Sequence, residues 1–256
     1  MESSPQALAG KRIAVLAADG FEQSELEKPV AALKDAGAVI EVVALRAGRI
    51  RGMHVHQPGE LQRVDKTVPV ARAQDYDGLL VPGGYISPDL LRQSAPAREF
   101  LRQMHALGKP IALMSQAPLL LASCGLATQR TLTSWPGVRD DVVNAGAVWL
   151  NQPVVRDARC LTSRGPQDIA AFVQALLPFL AGAPETPSSV AQAESDPPQE
   201  SPSETPEQPL RWLSAPSVGA MLSLALLGVG VVAANRGLRK KQAAGSDAAG
   251  GVADRS

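Results

Sequence analysis

Thiols and imidazoles are scarce in this chain: its 256 residues include two cysteines and three histidines. Cys124 and Cys160 are too few for a disulfide framework, and their apolar neighbours mark them as buried core thiols. His54, His56 and His105 stand at no zinc-ligand spacing with a cysteine, and His54-x-His56 reads as part of a surface loop, so no metal is expected. An excess of charge is also missing. The chain has 25 basic and 25 acidic residues, which leaves no electrostatic footprint for nucleic acid. There is no Gly-x-x-x-x-Gly-Lys loop and no dinucleotide fingerprint, so no cofactor is indicated. Met1 to Arg12 is polar and lacks an apolar core, so no secretory signal is read there.

What the chain does have falls into zones. Residues 1–10 read as a tail. Residues 11–182 alternate strand-like and helix-like patterns. Strands are expected at Arg12–Ala17, Val39–Leu45, Tyr76–Val81, Pro110–Met114, Ala147–Leu150, Val154–Arg156 and Cys160–Thr162. Helices are expected at Ser24–Ala36, Ala95–Leu107 and Gln167–Leu180. Such alternation argues an α/β domain with a parallel sheet covered on both faces. About 170 residues is ample for one such core.

The character changes at residue 183. Residues 183–210 hold seven prolines and six acidic residues, with no Lys or Arg. Such a stretch buries too little surface to offset its ordering entropy, so it is expected to be a disordered linker, reaching about 30 to about 85 Å. Ala215–Ala234 then runs for twenty residues without a charge. As a helix it would span about 30 Å, the thickness of a bilayer's hydrocarbon core. Trp212 precedes it, and Arg236, Arg239, Lys240 and Lys241 follow, which suits interfacial anchoring. The expectation is one transmembrane helix, with the lipid bilayer as partner through 215–234 and a basic, then disordered tail over 235–256. The basic cluster favours a cytoplasmic C-terminus, whereas the missing signal favours a domain on the cytoplasmic face; the second argument is given more weight.

Within the domain, Lys109-Pro-Ile-Ala-Leu-Met-Ser-Gln-Ala-Pro118 reads as a buried strand, a sharp turn and the start of a helix. A side chain on such a turn meets helix N-terminal amides, which stabilise an anion. Here it is the Ser115 hydroxyl, followed by Gln116. Serine needs an adjacent general base to attack a carbonyl. The segment also lacks the Gly-x-Ser-x-Gly form of a hydrolase elbow. Both a catalytically silent turn and a serine-based activity stay open at this point.

Several blocks in order carry a wider resemblance: Asp19-Gly-Phe-Glu-Gln-Ser-Glu-Leu26, Tyr76-Asp-Gly-Leu-Leu-Val-Pro-Gly-Gly84, Leu132-Thr-Ser-Trp-Pro-Gly137, Asn144-Ala-Gly-Ala-Val-Trp149 and Leu161-Thr-Ser-Arg-Gly-Pro166. From about Lys11 to Leu180 the chain resembles the DJ-1/PfpI family of the class I glutamine amidotransferase-like superfamily, especially its bacterial stress-protein and intracellular-protease branch. The resemblance implies a flavodoxin-like three-layer sandwich, a homodimer or higher homo-oligomer, and a site on the turn after Met114. Family members carry a cysteine there, usually followed by histidine, where this chain has Ser115-Gln116. A glutamate in the first strand–helix loop bonds that cysteine, and Glu22 matches it. The backbone at Gly83 and Gly84 matches the region that lines the pocket and offers amides to an oxyanion. Family activities include proteolysis, deglycation and glyoxalase-type chemistry, all of which need the thiolate. The resemblance therefore implies a pseudoenzyme with a binding, scaffolding or stress-response role, and the uncharged run 215–234, which lies outside the family pattern, adds the expected membrane tether. The alternative is altered hydrolase, deglycase or glyoxalase-like chemistry on Ser115 and Glu22.

Overall fold

The computed structural model describes residues 6–184 and 194–198. In chain order its strands are β1 (Arg12–Leu16), β2 (Phe21–Glu22), β3 (Val39–Ala44), β4 (Arg49–His54), β5 (Gln57–Arg63), β6 (Lys66–Thr67), β7 (Gly78–Val81), β8 (Ile111–Met114), β9 (Thr131–Leu132), β10 (Val148–Trp149), β11 (Val154–Asp157) and β12 (Cys160–Ser163). Its helices are α1 (Gln23–Asp35), α2 (Ser87–Gln93), α3 (Ala95–Ala106), α4 (Pro118–Cys124), α5 (Arg139–Asn144) and α6 (Ile169–Ala181).

Seven strands form the central sheet in the order β11-β12-β8-β7-β1-β3-β6. All neighbours are parallel except β11 against β12. β7 (Gly-Leu-Leu-Val) and β8 (Ile-Ala-Leu-Met) are buried at every residue, as central strands covered on both faces must be. The pleat sends alternate residues to opposite layers. Ala14, Leu16, Leu79, Val81 and Leu113 pack on one face with side chains of α3, α4 and α5. Ile13, Val15, Leu80, Ala112 and Met114 pack on the other with α1 and α6. This is the α/β three-layer arrangement with a mostly parallel sheet.

The expected elements agree to within a few residues where hydrophobic periodicity was strong, and three differences stand out. The hairpin β4–β5 was not expected, because its pattern is mostly exposed and polar. It pairs in parallel with β2, setting Glu22 opposite Met53, and His54 and His56 lie at its tip rather than in an irregular loop. The tail is partly packed: Leu8 is fully buried, and its N–H donates to Ala36 O at 2.9 Å. Finally, five residues of the expected linker, Glu194–Pro198, are described, and two of them, Ser195 and Asp196, are bonded to the domain. The rest of that linker beyond Pro184, the run Ala215–Ala234 and the tail 235–256 lie outside the described residues. Among the described residues no helix is long and apolar enough to cross a membrane.

Candidate active site

The site forms where the C-terminal ends of β1, β7 and β8 meet the start of α1. β8 ends at Met114, and Ser115 turns the chain with φ 50°, a left-handed conformation that is uncommon for a residue with a side chain. Its backbone is held on two sides: Ser115 N–H donates to Ser163 O at 3.0 Å, and Trp135 N–H donates to Ser115 O at 2.9 Å. The expected anion-stabilising helix terminus is much reduced. Helix α4 begins only at Pro118, which has no N–H, and has seven residues. The Ala117 and Leu119 amides donate to Met114 O and Gln116 O.

The main partner of Ser115 is a residue that the sequence pattern did not single out. Its hydroxyl donates to Oε1 of Glu25. Oε2 of Glu25 accepts from Gly83 N–H at 2.8 Å. Glu25 is fully buried. Burial pushes its pKa up to about 7, with the nearby Glu22 charge adding to the rise, while the bonds from Ser115 and Gly83 pull it down. The rise takes its titration out of the ordinary carboxylate range and toward neutral pH.

Glu22, expected to hold the Ser115 side chain, does something else. It is the N-cap of α1: its Oε1 accepts from Ser24 Oγ at 2.9 Å and from Ser24 N–H at 3.5 Å. Its Oε2 accepts from Val55 N–H at 2.9 Å. It ties the helix start to the β4–β5 tip and lines the pocket, but the bond to Ser115 comes from Glu25, three residues on. The geometry is simple. A carboxylate at the N-cap satisfies helix amides, whereas position 25 lies on the buried face of α1 with Leu26 and Pro29.

Gly83 and Gly84 lie where expected, but their amides are engaged. Gly83 donates to Glu25, and Gly84 N–H donates to Gln116 Oε1 at 3.1 Å. Gln116 thus occupies a donor that an oxyanion would need. Both glycines are sterically required: a Cβ at Gly83 would lie 2.5 Å from Ser115 Cβ. Gly84 has φ +106°, and a Cβ there would lie 2.4 Å from Gly20 O.

Around Ser115 remains a cavity of about 40 Å³ lined by Glu22, Val55, Gly84, Tyr85, Gln116, Trp135 and Pro166, room for about one water molecule. Three rings stand in series at its rim: His56 stacks on Tyr85 at 6.1 Å between centroids, and Tyr85 meets Trp135 edge-on at 6.4 Å. A larger open groove of about 630 Å³ runs between Val68–Gln74 and α3, on residues that take no part in the Ser115 site. The two cysteines are remote from this chemistry; burial raises Cys124 to about 11 and Cys160 to about 12.

Comparison with known proteins places this geometry in context. A sequence model described as the DJ-1/PfpI family matches residues 11–178. Deglycase PfpI of Pyrococcus furiosus is 34% identical over 169 residues, covering 66% of this chain and 99% of the relative. Protein/nucleic acid deglycase 2 of Escherichia coli is 36% identical over 173 residues, covering 66% of this chain and 98% of the relative. Among solved structures, Drosophila melanogaster DJ-1beta superposes with a TM-score of 0.62 at 27% identity, covering 67% of this chain and 91% of that one.

The protonation of Glu25 gives a test of stability against pH. Its folded pKa of about 7 lies above the ordinary 4.5, so the folded state binds the extra proton between these values. That stabilisation is complete below about pH 4.5 and is lost as pH rises through about 7. Relative to Glu25→Gln, the native chain should lose on the order of 3 kcal/mol of unfolding free energy between pH 4.5 and 8. Urea unfolding of both forms across that range checks this, and parallel profiles would contradict it.

Proposed function

Because the chain belongs to the DJ-1/PfpI family, we propose that it uses the family's site as a binding module and carries out no thiolate chemistry. The observation behind this reading is the commitment of the Ser115 hydroxyl and of the two glycine amides beside it. The hydroxyl donates to Glu25, the Gly83 amide donates to the same carboxyl, and the Gly84 amide donates to Gln116. Turnover at a carbonyl needs a nucleophile with a base and at least one donor for the developing oxyanion. Here the Gly83 and Gly84 amides are already engaged, and the residue after the nucleophile accepts a hydrogen bond through its side chain without transferring protons. The cavity beside Ser115, about 40 Å³ and bordered by Tyr85 and Trp135, is small. The pocket thus suits a small polar ligand or a stress-response role better than rapid turnover. Two further parts of the proposal rest on sequence: tethering to a membrane through the uncharged run 215–234, and self-association as a homodimer or larger homo-oligomer.

A second reading is favoured by specific observations. The relatives carry the name deglycase, Ser115 is held at a strained φ of 50°, and Glu25 titrates near 7, where a general base is most effective. In that reading Glu25, not Glu22, takes the Ser115 proton. The two readings separate with a fluorophosphonate probe and a methylglyoxal turnover assay. The binding reading expects no labelling of Ser115 and turnover no faster than that of Ser115→Ala. Stoichiometric labelling that disappears in Glu25→Gln would establish the enzyme instead.

A thiol placed in this frame reports on its electrostatics. Protonated Glu25 donates to a sulfur and favours its anion, so Ser115→Cys is expected to give a thiol below the usual value of about 8.5. The readouts are thiolate absorbance against pH and mass spectrometry after mild peroxide. An ordinary thiol without selective oxidation at 115 would show that the frame no longer tunes its nucleophile position.

A further inference from the structure

β10 is paired on one side only. Val148 N–H donates to Arg130 O at 2.8 Å and Leu150 N–H to Leu132 O at 2.9 Å, both toward β9. The N–H and C=O of Trp149, between them, point the other way, and an open edge of this kind is a template for another extended chain. The segment Glu194-Ser-Asp-Pro-Pro198 occupies it. Trp149 N–H donates to Ser195 Oγ at 2.9 Å, and Asp196 N–H donates to Trp149 O at 2.8 Å. Asn151 N–H donates to Asp196 Oδ2 at 2.7 Å. The Arg139 guanidinium donates through Nε and Nη2 to the Asp196 carbonyl at 2.9 and 2.7 Å, while its carbon lies 5.8 Å from the Trp149 ring centre.

We propose that the β10 edge and Arg139 form a peptide-docking site whose resident ligand is this chain's own Ser195–Asp196 pair. The domain's bonds to the segment beyond α6, which ends at Ala181, then extend as far as Asp196. The fit is specific in each part. A side-chain oxygen at 195 caps the Trp149 N–H, a backbone amide at 196 pairs with the Trp149 carbonyl, and a carboxylate at 196 takes the next edge amide. Pro197 and Pro198 have no N–H, so they end the pairing and keep a further strand from adding. Arg139, whose Nη1 is paired with Asp140 Oδ1 at 2.6 Å, turns its other two nitrogens to the Asp196 carbonyl. Attachment in cis gives an effective concentration on the order of millimolar, so even weak docking stays occupied.

The residues that hold the docked pair are bonded in turn to neighbours of the cavity-lining Trp135 and Pro166. Trp149 Nε1 donates to Ser134 Oγ at 3.0 Å, next to Trp135. Asn151 Oδ1 accepts from Arg164 Nη1 at 2.9 Å, and Arg164 is paired with Asp168 across Pro166.

Single-residue hydrogen exchange on the full chain, solubilised in detergent, tests the proposal. The comparison is with Ser195→Ala/Asp196→Pro, which removes the hydroxyl, the amide and the carboxylate that dock. In the native chain the Trp149 and Asn151 amides should be protected. In the variant both should exchange at least about tenfold faster. Val148 and Leu150, bonded to β9, should be unchanged and serve as the internal measure of an intact fold. Equal exchange at Trp149 and Asn151 in the two proteins would overturn the proposal.

Discussion

The site depends on one buried carboxyl. Glu25 sits where water cannot reach it, with one oxygen toward the Ser115 hydroxyl and the other toward the Gly83 amide. An isolated charge there would be costly to desolvate, and the structure meets this with two donors and a raised pKa. The local geometry follows from that arrangement. Ser115 must turn its side chain back toward α1, which its φ of 50° accomplishes. Gly83 must lack a side chain so that β7 can approach both groups. Gly84 must turn with φ +106° to bring its amide to Gln116.

Under the proposed binding function, this network is what sets the site apart from a working nucleophile centre. A carboxyl that shares its proton with a hydroxyl orders the turn well, but it is a poor relay, because no imidazole carries the proton onward to a leaving group. Gln116 strengthens the order and removes a donor at once. The frame is therefore well built for holding a group in place, and its chemistry is restrained by the same bonds that rigidify it.

The fold was readable from sequence where burial imposes a pattern. β7 and β8 are continuous apolar runs because both their faces are covered, and α3 and α6 show the spacing of one-sided helices. The hairpin β4–β5 escaped because an exposed ribbon of Arg, Gln and Glu carries no hydrophobic period. The positions of Ser115, Gln116, Gly83 and Gly84 followed from the blocks around them, whereas Glu22, matched to the family glutamate, is not the carboxylate that bonds Ser115, and Glu25 was not singled out. Both carboxylates stand in one short segment, and only helix geometry separates a cap at 22 from a buried face at 25. Composition alone also made 183–210 a uniform linker. It could not show that Ser195 and Asp196 match an open strand edge nearly fifty residues earlier.

The central claim is that Glu25 is a buried, protonatable partner of Ser115, and infrared difference spectroscopy of its carboxyl band tests it most directly. The band is assigned by its disappearance in Glu25→Gln and followed against pH. The account predicts titration of a protonated carboxyl with a midpoint near 7, moving further upward in Ser115→Ala, where a bond to the anion is lost. A midpoint in the ordinary carboxylate range, unmoved by Ser115→Ala, would contradict it.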